Sequence, residues 1–204
     1  MTARFLKILT GINRPCAPSS GGMILVNDLY RAMPDIHTTF LGREPVTATW
    51  KAAFDQLIPL ATTKRPQGPD YDRYVDELTL EVGALTEKDR PDVIHAQYLG
   101  LALSLAFART AGASPIIAIA HGPDVMAAER SPSERAVLNE VAAASAAIVT
   151  PTSALANRIN SLTGHRFTDR LNIVPWGIPL SDAQVGDQPA SGTGPLSLVH
   201  AGRL

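Results

Sequence analysis

Apolar residues recur along the chain in two alternating rhythms. Short, nearly continuous apolar runs occupy Phe5 to Leu9, Ile36 to Leu41, Asp92 to Ala96, Ile116 to Ala120, Ala147 to Thr150 and Leu171 to Pro175. A run without polar alternation is what a parallel strand covered on both faces requires. Between these runs the apolar residues step by three and four. Met23, Val26, Tyr30 and Met33 form one such stripe, and Tyr71, Tyr74, Val75, Leu78, Val82 and Leu85 form a longer one that stops near Arg90-Pro91. Leu101, Leu105 and Ala108, then Val137, Val141 and Ala144, then Leu155, Ile159 and Leu162 continue the series. Each stripe predicts an amphipathic helix. Ser131-Pro132-Ser133-Glu134 has the form of a capping box, with proline at the first helical position. The glycine, proline and serine between Gly11 and Gly22 predict a loop. Residues 42–69, broken by several prolines, fit a loop with a short helix.

Alternating strands and helices imply a parallel sheet with right-handed crossovers. The fold class expected is therefore α/β: a Rossmann-like open parallel sheet with helices on both faces. It occupies residues 1–180. Ser181 to Pro195 has the composition of a linker, and Leu196 to Ala201 reads as the first strand of a second domain, truncated within residues 196–204. Two strands turn abruptly polar at their ends, one through His95 and Gln97, the other through His121 to Asp124. Open α/β sheets bind ligands at that edge.

Composition narrows the classes. A formal net charge of −1, with 18% charged residues, gives no electrostatic case for nucleic acid or a membrane surface. No apolar stretch approaches the roughly 20 residues of a membrane span. The one cysteine, Cys16, cannot form an internal disulfide, so a cytoplasmic location is the expectation. No Gly-x-Gly-x-x-Gly follows a strand, which disfavours a dinucleotide dehydrogenase. No spacing of His, Cys and Asp suggests a metal site.

The order of motifs resembles the N-terminal, acceptor-binding half of the retaining glycosyltransferases of family four, enzymes with two Rossmann-like domains. The matching pieces are Gly21-Gly22 opening a helix, Asp92-Val93-Ile94-His95, and His121-Gly122-Pro123-Asp124-Val125. Ala147 to Ser153, Ile173 to Ile178 and Ala201-Gly202-Arg203-Leu204 follow in the same order. The resemblance implies transfer of a hexosyl group from a nucleotide-sugar to a sugar, polyol or small-molecule acceptor, with no obligatory metal and no other cofactor. It makes His121 a donor-orienting catalytic residue. Asp124 becomes an acceptor of a sugar hydroxyl, with a helix cap or Asx turn as its plainer role. Gly21 and Gly22 would lie against the donor diphosphate, where glycine lets backbone N–H groups approach and a helix N-terminus favours negative charge. Arg203 would hold the same phosphates with a planar guanidinium.

Asn13, His95, Gln97, Tyr98 and Ser153 follow strands and are candidate acceptor contacts. Thr152 or Ser153 has the alternative of capping the next helix. Two departures from the family pattern stand out. The chain ends at Leu204, before the family's downstream lysine and acidic pair, and Trp176 stands where an asparagine is usual. A fragment ending there is expected to transfer sugar weakly or not at all. Alternative readings are a non-catalytic acceptor-binding module, which docks with a complementing C-terminal domain or with a second copy of itself, and half of a nucleotide-sugar epimerase.

Overall fold

The computed structural model describes residues 5–16, 21–48 and 53–176. Seven strands form one wholly parallel sheet. They are β1 (Leu6–Cys16), β2 (Ile36–Val46), β3 (Gln56–Pro59), β4 (Val93–Gln97), β5 (Ile116–Ile119), β6 (Ser145–Thr150) and β7 (Leu171–Ile173), in the spatial order 3-2-1-4-5-6-7. The described helices are α1 (Gly21–Arg31), α2 (Tyr71–Asp89), α3 (Ala102–Thr110), α4 (Pro123–Arg130), α5 (Pro132–Ala144) and α6 (Ser153–Thr163). This is the α/β Rossmann-like arrangement that the alternation predicts.

Two apolar layers sandwich the sheet. The larger joins Leu9, Tyr74, Leu78, Ile94, Ala96, Phe107 and Ile148. The smaller, under α1, joins Ile12, Met23, Val26, Tyr30, Phe40 and Phe54. Alternate residues of β1 serve the two layers, Leu9 the first and Ile12 the second, which is why the strand reads as continuously apolar. The order reverses between β1 and β4: one neighbour leads to β2 and β3, the other to β5, β6 and β7. The carboxyl ends of β1 and β4 therefore form a topological switch point, the edge at which open α/β sheets bind ligands.

Three departures from the sequence reading have physical causes. β1 runs on to Cys16 and β2 to Val46, although Gly11 onward carries loop residues. Gly11 lies so close to β2 that a Cβ there would stand 2.4 Å from the Leu41 carbonyl oxygen. Here glycine admits close strand approach instead of a turn, and the register shifts on either side of Pro15 absorb the proline. β3 lies in the unassigned segment; its four residues are too few for an alternating signal. Helix α4 directly precedes α5, and Ser131 ends one and caps the other. Its Oγ accepts the Glu134 N–H at 3.4 Å, while its own N–H donates to the Ala127 carbonyl at 3.0 Å. The carboxylate half of a reciprocal box is thereby replaced by the last turn of α4. The expected linker from Ser181 and the strand from Leu196 lie outside the described residues.

Candidate active site at the switch point

β4 ends at Gln97, and the next residue turns the chain. The Tyr98 N–H still donates to the Ile119 carbonyl at 2.9 Å, but its φ of 80° lies in the left-handed region that non-glycine residues rarely enter. Such an outlier is held by its surroundings, and it swings the phenol towards the first turn of α1. A Cβ on Gly22 would lie 2.7 Å from the Tyr98 hydroxyl oxygen and 3.5 Å from His121 Nδ1. Gly22, Tyr98 and His121 thus meet at one point, although they are far apart in sequence. The Tyr98 and His121 rings have centroids 4.1 Å apart, and Trp176 stands 4.9 Å from the other partner of that stack, His121. The imidazole packs against both aromatic rings.

Burial, and secondarily the charge His95 would carry, push His121 down to about 4. At neutral pH its ring is uncharged, with one nitrogen to donate and one to accept. Its Nε2 is buried and has no hydrogen-bond partner among the described residues. Gly122, at φ 98°, makes the turn from β5 into α4.

Asp124 is only 6% exposed and both its oxygens are engaged. Oδ2 accepts the Leu99 N–H at 2.7 Å and Oδ1 accepts the His121 N–H at 3.2 Å. Burial pushes this carboxyl up, while those backbone donors pull it back. The side chain ties the loop after β4 to the loop after β5. The N-cap of α4 is Gly122, without a side-chain cap bond, and the contact of Oδ1 three residues back is a local turn.

His95 and Gln97 point under α1 and lie below the rim. The Tyr30 hydroxyl sits 2.5 Å from His95 Nδ1, and Gln97 Nε2 is 3.4 Å from the same atom and 3.3 Å from Thr10 Oγ1. Burial lowers His95 to about 4 and raises Tyr30 far above the phenol range. Both groups are therefore neutral, a phenol beside an imidazole. Thr10 Oγ1 closes the network by donating to the His95 carbonyl at 2.7 Å. This polar layer supports the site from beneath.

Asn13 faces the other side of the sheet. Its Nδ2 donates to the Tyr74 hydroxyl at 2.6 Å, and its Oδ1 is buried without a partner among the described residues. With Arg14, Lys64, Arg65, Tyr71, Tyr74 and Glu134 it lines a cavity of about 190 Å³, floored by Gly100 to Leu103. Cavity and histidine cluster thus flank one segment, the loop Tyr98 to Leu101 and the first residues of α3.

The structure brings together Gly22, Tyr98, His121 and Asp124, with Asn13 across the shared loop. Ser153 is exposed in the first turn of α6, and Thr152 caps that helix by accepting the Leu155 N–H at 3.2 Å. Gly21 begins α1, and Arg203 lies outside the described residues. Sequence reasoning missed Arg14, Lys64, Arg65 and Tyr74. The adjacent pair Lys64-Arg65, a few residues ahead of a well-marked helix, was the available signal. Trp176, which stands where the family pattern has an asparagine, packs on His121. Among the described residues, no helix is long and apolar enough to cross a membrane.

Among solved structures, three similar ones are informative about the fold. Sucrose-phosphate synthase from Thermosynechococcus elongatus matches with a TM-score of 0.62 and 13% identity, over 86% of this chain and 49% of that one. Anabaena HepE in complex with UDP matches with 0.61 and 13%, over 85% and 44%. UDP-GlcNAc 2-epimerase from Neisseria meningitidis, bound to UDP-GlcNAc, matches with 0.59 and 14%, over 82% and 45%. The chain thus spans less than half the length of each of these structures. No curated protein matches the sequence. The model of Glycosyltransferase Family 4 matches residues 39–182, well over half of the sequence and all of the sheet from the middle of β2 onward, and the chain belongs to that family.

Proposed function

We propose that this chain is the acceptor-side half of a retaining hexosyltransferase that uses a nucleotide-sugar donor and a small hydroxylated acceptor. The observation carrying this reading is the convergence of Gly22, Tyr98 and His121 at the switch point of the sheet. Two of the similar structures hold UDP or UDP-GlcNAc, which supports a nucleotide-sugar as the donor.

Transfer with retention breaks the bond between the anomeric carbon and the diphosphate while an acceptor hydroxyl oxygen bonds to that carbon on the same face and gives its proton to the departing phosphate oxygen. Positive charge grows on the sugar and negative charge on the departing phosphate. The N-terminus of α1, the positive end of its dipole, is offered to the phosphate, with the bare backbone of Gly22 in its first turn. His121, neutral and stacked, orients a sugar hydroxyl through Nε2. A group titrating near 4 is too weak a base at pH 7 to serve as the general base. Asp124 fixes the backbone on which His121 is mounted and acts as a positioning residue. The phosphate grip assigned to Arg203 belongs to the same proposal. The reaction requires no metal, and the site is taken to work in the cytoplasm.

The test is incubation with UDP- and GDP-hexoses and a panel of polyols and sugars, with the product anomer read by NMR. Formation of a product with the donor's anomeric configuration supports the reading; an inverted product overturns it. The likeness to UDP-GlcNAc 2-epimerase favours one second reading, half of an epimerase. Conversion of UDP-GlcNAc to its C2 epimer without any acceptor would select it.

A further inference from the structure

The cavity beside the histidine cluster carries more positive charge than a neutral acceptor requires. Arg14, Lys64 and Arg65 line it against a single lining carboxylate, Glu134. Arg43 adds a fourth cation within electrostatic reach of Lys64. Among the described residues, Arg14, Arg43 and Lys64 have no ion-pair partner, while Arg65 reaches Asp70 at 3.7 Å through NH1 and keeps a buried Nε unpaired. Crowded like charges repel. Burial first, then Arg14 and Arg43, lowers the Lys64 ammonium below its ordinary range, whereas Glu134 opposes the shift. Unpaired cations gathered around a cavity form an anion site awaiting its counter-charge.

A second observation on the same cavity is independent of charge. Asn13 is 5% exposed and lines the cavity. One polar atom of its amide bonds Tyr74, and the other has no partner among the described residues. Burying an unsatisfied amide oxygen costs about 1–3 kcal/mol, a loss that a ligand hydroxyl donating to it would recover. Cations at the mouth and an amide at the wall describe a ligand with two ends, one anionic and one hydroxylated.

Resting on the acceptor-side reading above, we infer that the acceptor is a phosphorylated polyol or sugar, its phosphate held by Arg14, Lys64 and Arg65 and a hydroxyl held by Asn13. The shared segment, Tyr98 to the start of α3, then places the acceptor on one side and the donor sugar, at His121, on the other. Lys64 is exposed and Arg14 is at the surface, so both can be changed without disturbing the core.

The experiment titrates the chain with a hexose 6-phosphate, glycerol 3-phosphate, inorganic phosphate, the two unphosphorylated parents and UDP, followed by amide and side-chain NMR. Phosphorylated ligands should bind at least tenfold tighter than their parents, shifting the Asn13 side-chain amide. R14Q with K64Q should erase that advantage, while K88Q, at the far end of α2, should keep it. Equal binding of phosphorylated and parent ligands would overturn the anionic acceptor yet leave the acceptor-side reading standing. Silence from every non-nucleotide ligand would overturn both. Inorganic phosphate binding as tightly as the hexose phosphate, or UDP displacing it while the shifts sit at Gly22 and His121, would mark a bare anion or donor-phosphate site and also overturn the inference.

Discussion

His121 is where the residue scale is most exposed to test. It packs against Tyr98 and Trp176, and its depressed pKa of about 4 means that the folded protein resists protonating it. His95, bonded to Tyr30, shares the same direction and value. Unfolding restores both to the ordinary 6.5, so the unfolded chain binds protons more tightly. Stability is then full above pH 6.5 and falls as pH drops towards 4, by on the order of 3 kcal/mol at most for each ring. Urea midpoints measured from pH 7.5 to 4 should fall accordingly, and H95Q should flatten part of the slope. Gly22→Ala makes a sharper point. Its new methyl would meet the Tyr98 hydroxyl at 2.7 Å, which the phenol can relieve only by leaving His121. The thermal midpoint should change by a few degrees at most, while the His121 ring resonances and nucleotide-sugar binding change strongly.

At the scale of elements, the loops after β4 and β5 act as a unit because Asp124 receives an N–H from each. Asp124→Ala would strand two backbone donors and should cost about 2–4 kcal/mol in chemical denaturation, with Asp124→Asn intermediate. A drop in activity for D124N larger than its loss of folded protein would show that the clamp also sets the pitch of His121. The helices and central strands were legible in the sequence because their apolar residues obey a single period. Tyr74, Leu78 and Val82 lie on one buried stripe of α2, as their spacing requires. The extension of β1 was not legible. Gly11 signals a turn by composition, but its real constraint is the Leu41 carbonyl of a neighbouring strand, which a linear reading does not contain. The strand β3 and the cations Lys64 and Arg65 were lost for the same reason: their meaning comes from what the fold sets across from them.

For the whole molecule, the order 3-2-1-4-5-6-7 decides where chemistry can occur. It puts the ends of β1, β4 and β5 side by side at the one crevice, which gathers Gly22, Tyr98 and His121 from three separate segments. His121 and Tyr98 were legible as candidates because each follows a strand, and Gly22 through the family resemblance of the glycine pair that opens α1. That His95 and Gln97 would instead form a buried layer with Thr10 and Tyr30 depends on which face of β4 lies under α1. Under the proposed function, the segment from Tyr98 to the start of α3 would have one substrate on each side. The most direct measurement is an NMR titration of the chain with UDP-glucose, UDP-GlcNAc and GDP-mannose, following the Gly22 amide and the His121 ring. One of these donors should move both signals together with a single dissociation constant, and H121A should weaken that binding at least tenfold. Shifts confined to other faces of the sheet, or binding indifferent to H121A, would contradict the account.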